Sequence, residues 1–90
     1  MTARITISAK PDGELEIWLN PEGRDLLVRE LQALSPMNDH FHLGTWDGAE
    51  IQLRSIPYRP SDKIVHAGKV LLRLDEWDHA YHPHVLEAKG

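Results

Sequence analysis

The chain has no cysteine among its 90 residues. That absence removes a disulfide framework, a thiolate zinc site and a thiolate nucleophile together, and a small secreted scaffold usually depends on one of the first two. A reducing cytoplasm is the expected setting. Long apolar runs are missing as well. The opening M-T-A-R-I-T-I-S-A-K lacks the apolar core of a signal peptide, and nowhere do about 18 uncharged apolar residues follow one another as a membrane helix requires. Neither export nor membrane insertion is expected.

Positive charge is in deficit, with ten Lys and Arg against fourteen Asp and Glu for a formal net charge of −4. Nucleic-acid binders displace phosphate counterions with Lys and Arg, so a general nucleic-acid partner is not expected and a basic partner is the better match. The six histidines carry the balance to −4 + 6 = +2 if all are protonated. Signatures of covalent and nucleotide chemistry are also lacking. Ser8, Ser35, Ser55 and Ser61 sit in no strand-turn-helix elbow, and the six glycines are scattered singly rather than gathered into a phosphate cradle. Nothing in the spacing of the acids singles out a catalytic pair, and no cofactor is implied.

What is present fits one folded unit. Ninety residues supply one hydrophobic core, so residues 1–90 are read as a single domain, and 41% apolar with 27% charged residues is ordinary globular usage. Such a chain folds alone or as a homodimer. No internal repeat and no low-complexity tract is visible.

Two-residue alternation marks the strands. Ile5 and Ile7 share one face of R-I-T-I-S-A-K, and Leu15, Ile17 and Leu19 share one face of E-L-E-I-W-L-N. Pro11-Asp12-Gly13 between them is turn chemistry, so an antiparallel hairpin opens the fold. Asn20-Pro21-Glu22 supplies an N-cap acceptor, a proline suited to the first helical position and an acid at the positive dipole end. Leu27, Leu31 and Leu34 then recur at helical spacing, and Ser35-Pro36 closes the helix. Phe41 and Leu43 alternate with His40 and His42, Trp46-Asp47-Gly48 turns the chain, and Ile51 and Leu53 alternate with Glu50, Gln52 and Arg54. This predicts a second hairpin. Pro57 to Asp62 reads as a loop, and Ile64 to Leu74 as a fifth strand bent at Gly68 with Val70, Leu72 and Leu74 inward. The last stretch, interrupted by Pro83, reads as an irregular segment anchored by Trp77, Tyr81, Val85 and Leu86. The expected fold is therefore α+β in the order ββαβββ, one antiparallel sheet with a single amphipathic helix on one face.

Two constellations carry chemistry. His40 and His42 project from one strand face beside Asp39, as metal-binding H-x-H pairs do. A zinc centre needs a third or fourth donor, available from His66, His79, His82, His84 or a carboxylate brought near by folding. The metal alternative groups His40, His42, His82 and His84, in a metal-binding protein or a small metal-dependent hydrolase. The plainer reading makes these histidines polar residues on a wet sheet face. The second constellation is that face itself. On a single sheet, Glu14, Glu16 and Trp18, His40 and His42, Glu50, Gln52 and Arg54, and Leu71 and Arg73 lie together, an aromatic ringed by charges as recognition surfaces tend to be. Glu16, Trp18, His40, His42, Gln52, Arg54 and Arg73 are the expected partner-binding residues. The reading is of a binding module without catalytic residues.

The run Asp39-His40-Phe41-His42-Leu43, followed by Trp46, Tyr58-Arg59-Pro60, Gly68-Lys69-Val70-Leu71 and Pro83-His84-Val85, resembles the immunity protein 32 family. Its members are predicted antitoxins of bacterial polymorphic toxin systems. The resemblance spans nearly the whole chain through short motifs. It implies a cytoplasmic α+β protein that binds a cognate toxin domain and blocks it sterically and electrostatically, with no catalysis. It designates no contact residues.

Overall fold

A computed structural model describes residues 2–87. The chain is α+β, with strands β1 Ile5–Ala9 and β2 Leu15–Leu19, helix α1 Pro21–Gln32, strands β3 His40–Gly44, β4 Ile51–Gln52, β5 Lys63–Ile64 and β6 Ala67–Leu71, and helix α2 Asp75–Tyr81 followed by a 3-10 turn over Pro83–Leu86. The strands form two sheets of three, ordered β2-β1-β5 and β4-β3-β6. The single sheet expected from the sequence is thus divided, and neither half closes into a barrel.

The opening hairpin forms as its alternation requires, with Ile5 opposite Leu19, Ile7 opposite Ile17 and Ala9 opposite Leu15. Gly13 adopts φ 92° at the turn, a conformation that costs glycine little. Strand β1 is central, and Ile5, Thr6, Ile7 and Ser8 are all buried. Helix α1 starts where the cap signal puts it: Asn20 Oδ1 accepts the Gly23 backbone N–H at 2.7 Å, and Pro21 occupies the first turn. Gly23 is the point of closest approach to β1. A β-carbon there would meet the Arg4 carbonyl oxygen and stand 2.9 Å from Ile5 Cγ1.

One core spans both sheets. Ile5 and Ile7 of the first, Phe41 and Ile51 of the second, and Leu53 beyond β4 form its centre, with Leu26, Leu27, Leu34, Leu43, Val65 and Val70 packed around them. Helix α1 therefore sits on the Ile5 face, as expected, but it does not cover the edge strand. Leu15, Ile17 and Leu19, expected inside, remain exposed.

Three further expectations are corrected. The segment after β3 is not a hairpin, because β4 runs parallel to β3 with Leu43 opposite Ile51 and Gly44 opposite Gln52. Residues 45–50 swing out and return instead, with Gly48 at φ 99° and the Trp46 ring lying where a β-carbon on Gly44 would be. The Glu50 carboxylate takes the His42 backbone N–H at 2.7 Å, so a side chain satisfies a donor that an antiparallel neighbour would otherwise claim. The long fifth strand is two strands. β5 pairs with β1, β6 pairs antiparallel with β3, and the break falls at Val65-His66 while Gly68 stays within the ladder. Val70 and Leu72 are half-buried as expected, but Leu74 ends exposed at the start of α2. Finally, the C-terminal segment is helical rather than irregular, and α2 makes a second helix. Leu74 O accepts both the Trp77 and Asp78 amides at 3.0 Å, and Pro83 opens the 3-10 turn, where its missing N–H costs nothing.

Candidate recognition face

The antiparallel register of β3 and β6 sets His40 opposite Leu71, Phe41 opposite Val70 and His42 opposite Lys69. Because side chains alternate, Phe41 and Val70 enter the core, while His40, His42, Lys69 and Leu71 share the outer face. Arg73 follows two residues on, where the chain turns into α2.

Neighbours hold His40, His42 and Arg73 in place on this face. His40 Nδ1 lies 2.9 Å from Asp39 Oδ1, and His42 Nδ1 lies 3.3 Å from Glu50 Oε1. An ionised carboxylate only accepts, so in both rings Nδ1 carries a hydrogen, and in the neutral imidazole Nε2 is the free acceptor. The two rings meet edge to face with centroids 5.1 Å apart. Arg73 Nη1 is 3.7 Å from Asp39 Oδ2, and the Arg73 guanidinium sits 4.5 Å over the Trp77 ring in a cation–π arrangement. Trp77 in turn packs on Tyr81 at 5.0 Å. The result is a continuous row, Trp77, Arg73, Asp39, His40, His42 and Glu50. Beside it, Pro36, Asp39, Leu72, Arg73, Leu74 and Trp77 line a notch of about 110 Å³.

The electrostatics follow from these contacts. The His40 hydrogen bond, aided by the charges of His40 and Arg73, holds the Asp39 carboxyl below its ordinary value of 3.8 against a desolvation penalty. Glu50 is held below its ordinary 4.5 chiefly by the His42 backbone N–H, with the His42 ring assisting. Both acids therefore stay ionised in mild acid.

Of the other residues expected on this surface, Gln52 stands opposite Gly44 and so shares the outer face at the far end of β3, whereas the rest lie elsewhere. Glu16 and Trp18 are on the first sheet, on the face opposite Ile5. The loop over residues 56–62 covers that face: Tyr58 stacks on Trp18 at 4.2 Å with an 11° interplanar angle, Trp18 Nε1 donates to Ser8 Oγ at 3.3 Å, and Arg59 pairs with Glu16. Arg59 Nε also lies 3.2 Å from the buried carboxylate of Asp62. Trp18 is therefore half-covered. Gln52 Nε2 donates to Asp47 Oδ1 at 3.0 Å. Arg54 joins Arg4, Thr6, Ile56, Pro57 and Tyr58 around an open cavity of about 260 Å³. The expected partner set is thus split, with His40, His42, Gln52 and Arg73 on the side of the second sheet, and Glu16, Trp18 and Arg54 apart on the side of the loop that carries Tyr58.

The four histidines of the metal alternative do not form one cluster. His82 and His84 make their own edge-to-face pair at 6.0 Å, and among the described residues no three His, Asp or Glu side chains converge as a metal site would require. Sequence reasoning placed Glu50 on this face without choosing it as a contact residue, and left Lys69 and Trp77 out of the site. Trp77 was read only as an anchor of the C-terminal segment, because its approach to Arg73 depends on α2, a helix that the sequence did not mark.

Comparison with protein-family models, with curated proteins and with solved structures returned no significant match. Among the described residues, no helix is long and apolar enough to cross a membrane.

Proposed function

We propose that the chain is a cytoplasmic binding module of the immunity class, which neutralises a bacterial toxin domain by direct docking and without catalysis. One observation carries the reading: the row from Trp77 through Arg73, Asp39, His40 and His42 to Glu50 is exposed yet held in position by its own contacts. Fixed side chains lose little entropy when a partner arrives, and tryptophan and arginine are the residues most often found to dominate binding energy. The free Nε2 atoms of His40 and His42 and the carboxylates of Asp39 and Glu50 supply acceptors for a basic partner, and the guanidinium of Arg73 supplies donors. The resemblance to immunity protein 32 supplies the kind of partner.

Co-expression with the variable C-terminal domain of a multidomain toxin encoded beside the gene tests the reading. The chain is expected to restore growth, and the double variant Arg73→Ala, Trp77→Ala to lose that protection while keeping wild-type circular dichroism. Full protection by the double variant would remove this face from the proposal. Failure of the wild-type chain to protect would remove the toxin.

A further inference from the structure

We propose that the free edge of β2 is a self-association site, through which two copies pair antiparallel about a two-fold axis at Ile17. The inference concerns the first sheet and is independent of the function proposed for the second.

The hydrogen-bond phase of the hairpin identifies which backbone groups are free. Lys10 N donates to Glu14 O at 2.8 Å, and Asn20 N donates to Arg4 O at 3.2 Å. Bonded and non-bonded pairs alternate in an antiparallel ladder. Glu14, Glu16, Trp18 and Asn20 therefore turn their amides and carbonyls toward β1, while Leu15, Ile17 and Leu19 turn theirs outward. β2 ends its sheet, in the order β2-β1-β5, so those outward groups face no strand among the described residues. The same three residues carry exposed apolar side chains, at 58%, 51% and 41% of their full surface.

Edge strands usually defend themselves with charge, proline or a bulge. β2 contains no proline, its register with β1 is unbroken over five pairs, and its one internal charge, Glu16, is on the far face and paired with Arg59. Glu14 at its entrance is held by Lys10, whose Nζ is 2.8 Å away. The edge is open, flat and apolar.

The sequence itself selects a second copy as the occupant and fixes the register. With Ile17 opposite Ile17 of the other copy, Leu15 falls opposite Leu19, and each pair exchanges both outward backbone hydrogen bonds. Glu16 then faces Trp18 across the junction, and Glu14 faces Asn20 at the start of the other copy's α1, where the helix dipole and Arg24 favour an acid. Sliding to the next register that uses the same outward groups sets Glu16 opposite Glu16, a like-charge pair at close range. Sliding the other way sets Trp18 against Trp18 and leaves Leu15 unpaired. Only the Ile17-centred register pairs all three apolar residues without opposing like charges. The joined sheets place both apolar strips on one face, continuous with that of Ile5 and Ile7.

Because the chain has no cysteine, single-cysteine variants give an unambiguous test. Residues opposite each other in a hydrogen-bonded antiparallel pair have Cα atoms about 5.5 Å apart, within disulfide reach. Ile17→Cys is expected to oxidise to a covalent dimer, whereas Leu31→Cys and Glu16→Cys stay monomeric at the same concentration. Light scattering of the unmodified chain at about 100 µM, well above a micromolar-scale Kd, is expected to give twice the chain mass, and Ile17→Lys the chain mass with wild-type circular dichroism. A monomeric wild type together with no cross-linking at Ile17→Cys would overturn the proposal. Preferential cross-linking of Glu16→Cys would overturn the register.

Discussion

Replacing Gly23 by alanine sets two effects of opposite sign against each other. Alanine is the stronger helix former by about 1 kcal/mol in a helix interior, and Gly23, in the first turn of α1, should realise only part of that. Against it stands the packing of α1 on β1. The added β-carbon would press on the Arg4 carbonyl, lie 2.9 Å from Ile5 Cγ1 and 3.0 Å from Asn20 Oδ1. The first of these is backbone at the entrance to β1, where it already accepts the Asn20 amide at 3.2 Å, so it gives way only if helix and sheet separate. Overpacking of this kind costs about 1–3 kcal/mol, and disturbing the Asn20 cap adds up to about 1 kcal/mol. The clash outweighs the propensity, for a net loss of about 1–3 kcal/mol. With a urea slope of about 1–2 kcal/mol/M for a domain this small, the denaturation midpoint of Gly23→Ala should fall by about 1 M. A midpoint equal to or above wild type would refute the helix placement.

Further outcomes follow from the same geometry. Asp39 and Glu50 titrate below their ordinary values of 3.8 and 4.5 when folded, so their contribution to stability is complete above those values and is lost as the pH falls through the lower folded ones. Urea midpoints measured against pH should therefore drop less steeply on acidification in Glu50→Gln than in wild type; parallel curves would count against the Glu50–His42 contact. Trp18→Ala removes the surface on which Tyr58 and Arg59 rest. It should cost about 1–3 kcal/mol, less than a fully buried tryptophan would, and should speed proteolysis within residues 55–62; an unchanged cleavage rate would show that the loop does not depend on Trp18. Gly44→Ala should expel the Trp46 ring and shift its fluorescence to longer wavelength, and an unshifted spectrum would contradict the packing over β3.

Local chemistry was readable from the sequence wherever one residue type suffices. The Pro11-Asp12-Gly13 turn, the Asn20 cap with Pro21 behind it, and the alternations of β1, β2 and β3 all follow from backbone and side-chain preferences. Which sheet receives a strand does not. Ile5, Phe41 and Ile51 alternate alike, and nothing local separates an antiparallel β4 from the parallel one that Glu50 permits by taking the His42 amide. Alternation also fails to mark an edge: Leu15, Ile17 and Leu19 read as core because period two reports a shared face and is silent on whether anything covers it. Helix α2 is seven residues long, too short for a sustained period. For the site, His40 and His42 with the adjacent Asp39 were legible because they are neighbours in sequence. Glu50 was set on their face by alternation, though through a hairpin that does not form, and Trp77 was not legible, because folding alone brings it to the row.

The proposed docking surface is the outer face of the β4-β3-β6 sheet together with Arg73 and Trp77 beside it. Calorimetric titration of the toxin domain proposed as partner into wild type and into Arg73→Ala, Trp77→Ala measures what that face contributes. Affinity should fall by about 30-fold or more in the double variant, the scale of a lost hot spot, with folding unchanged. Equal affinity for both proteins would rule the face out.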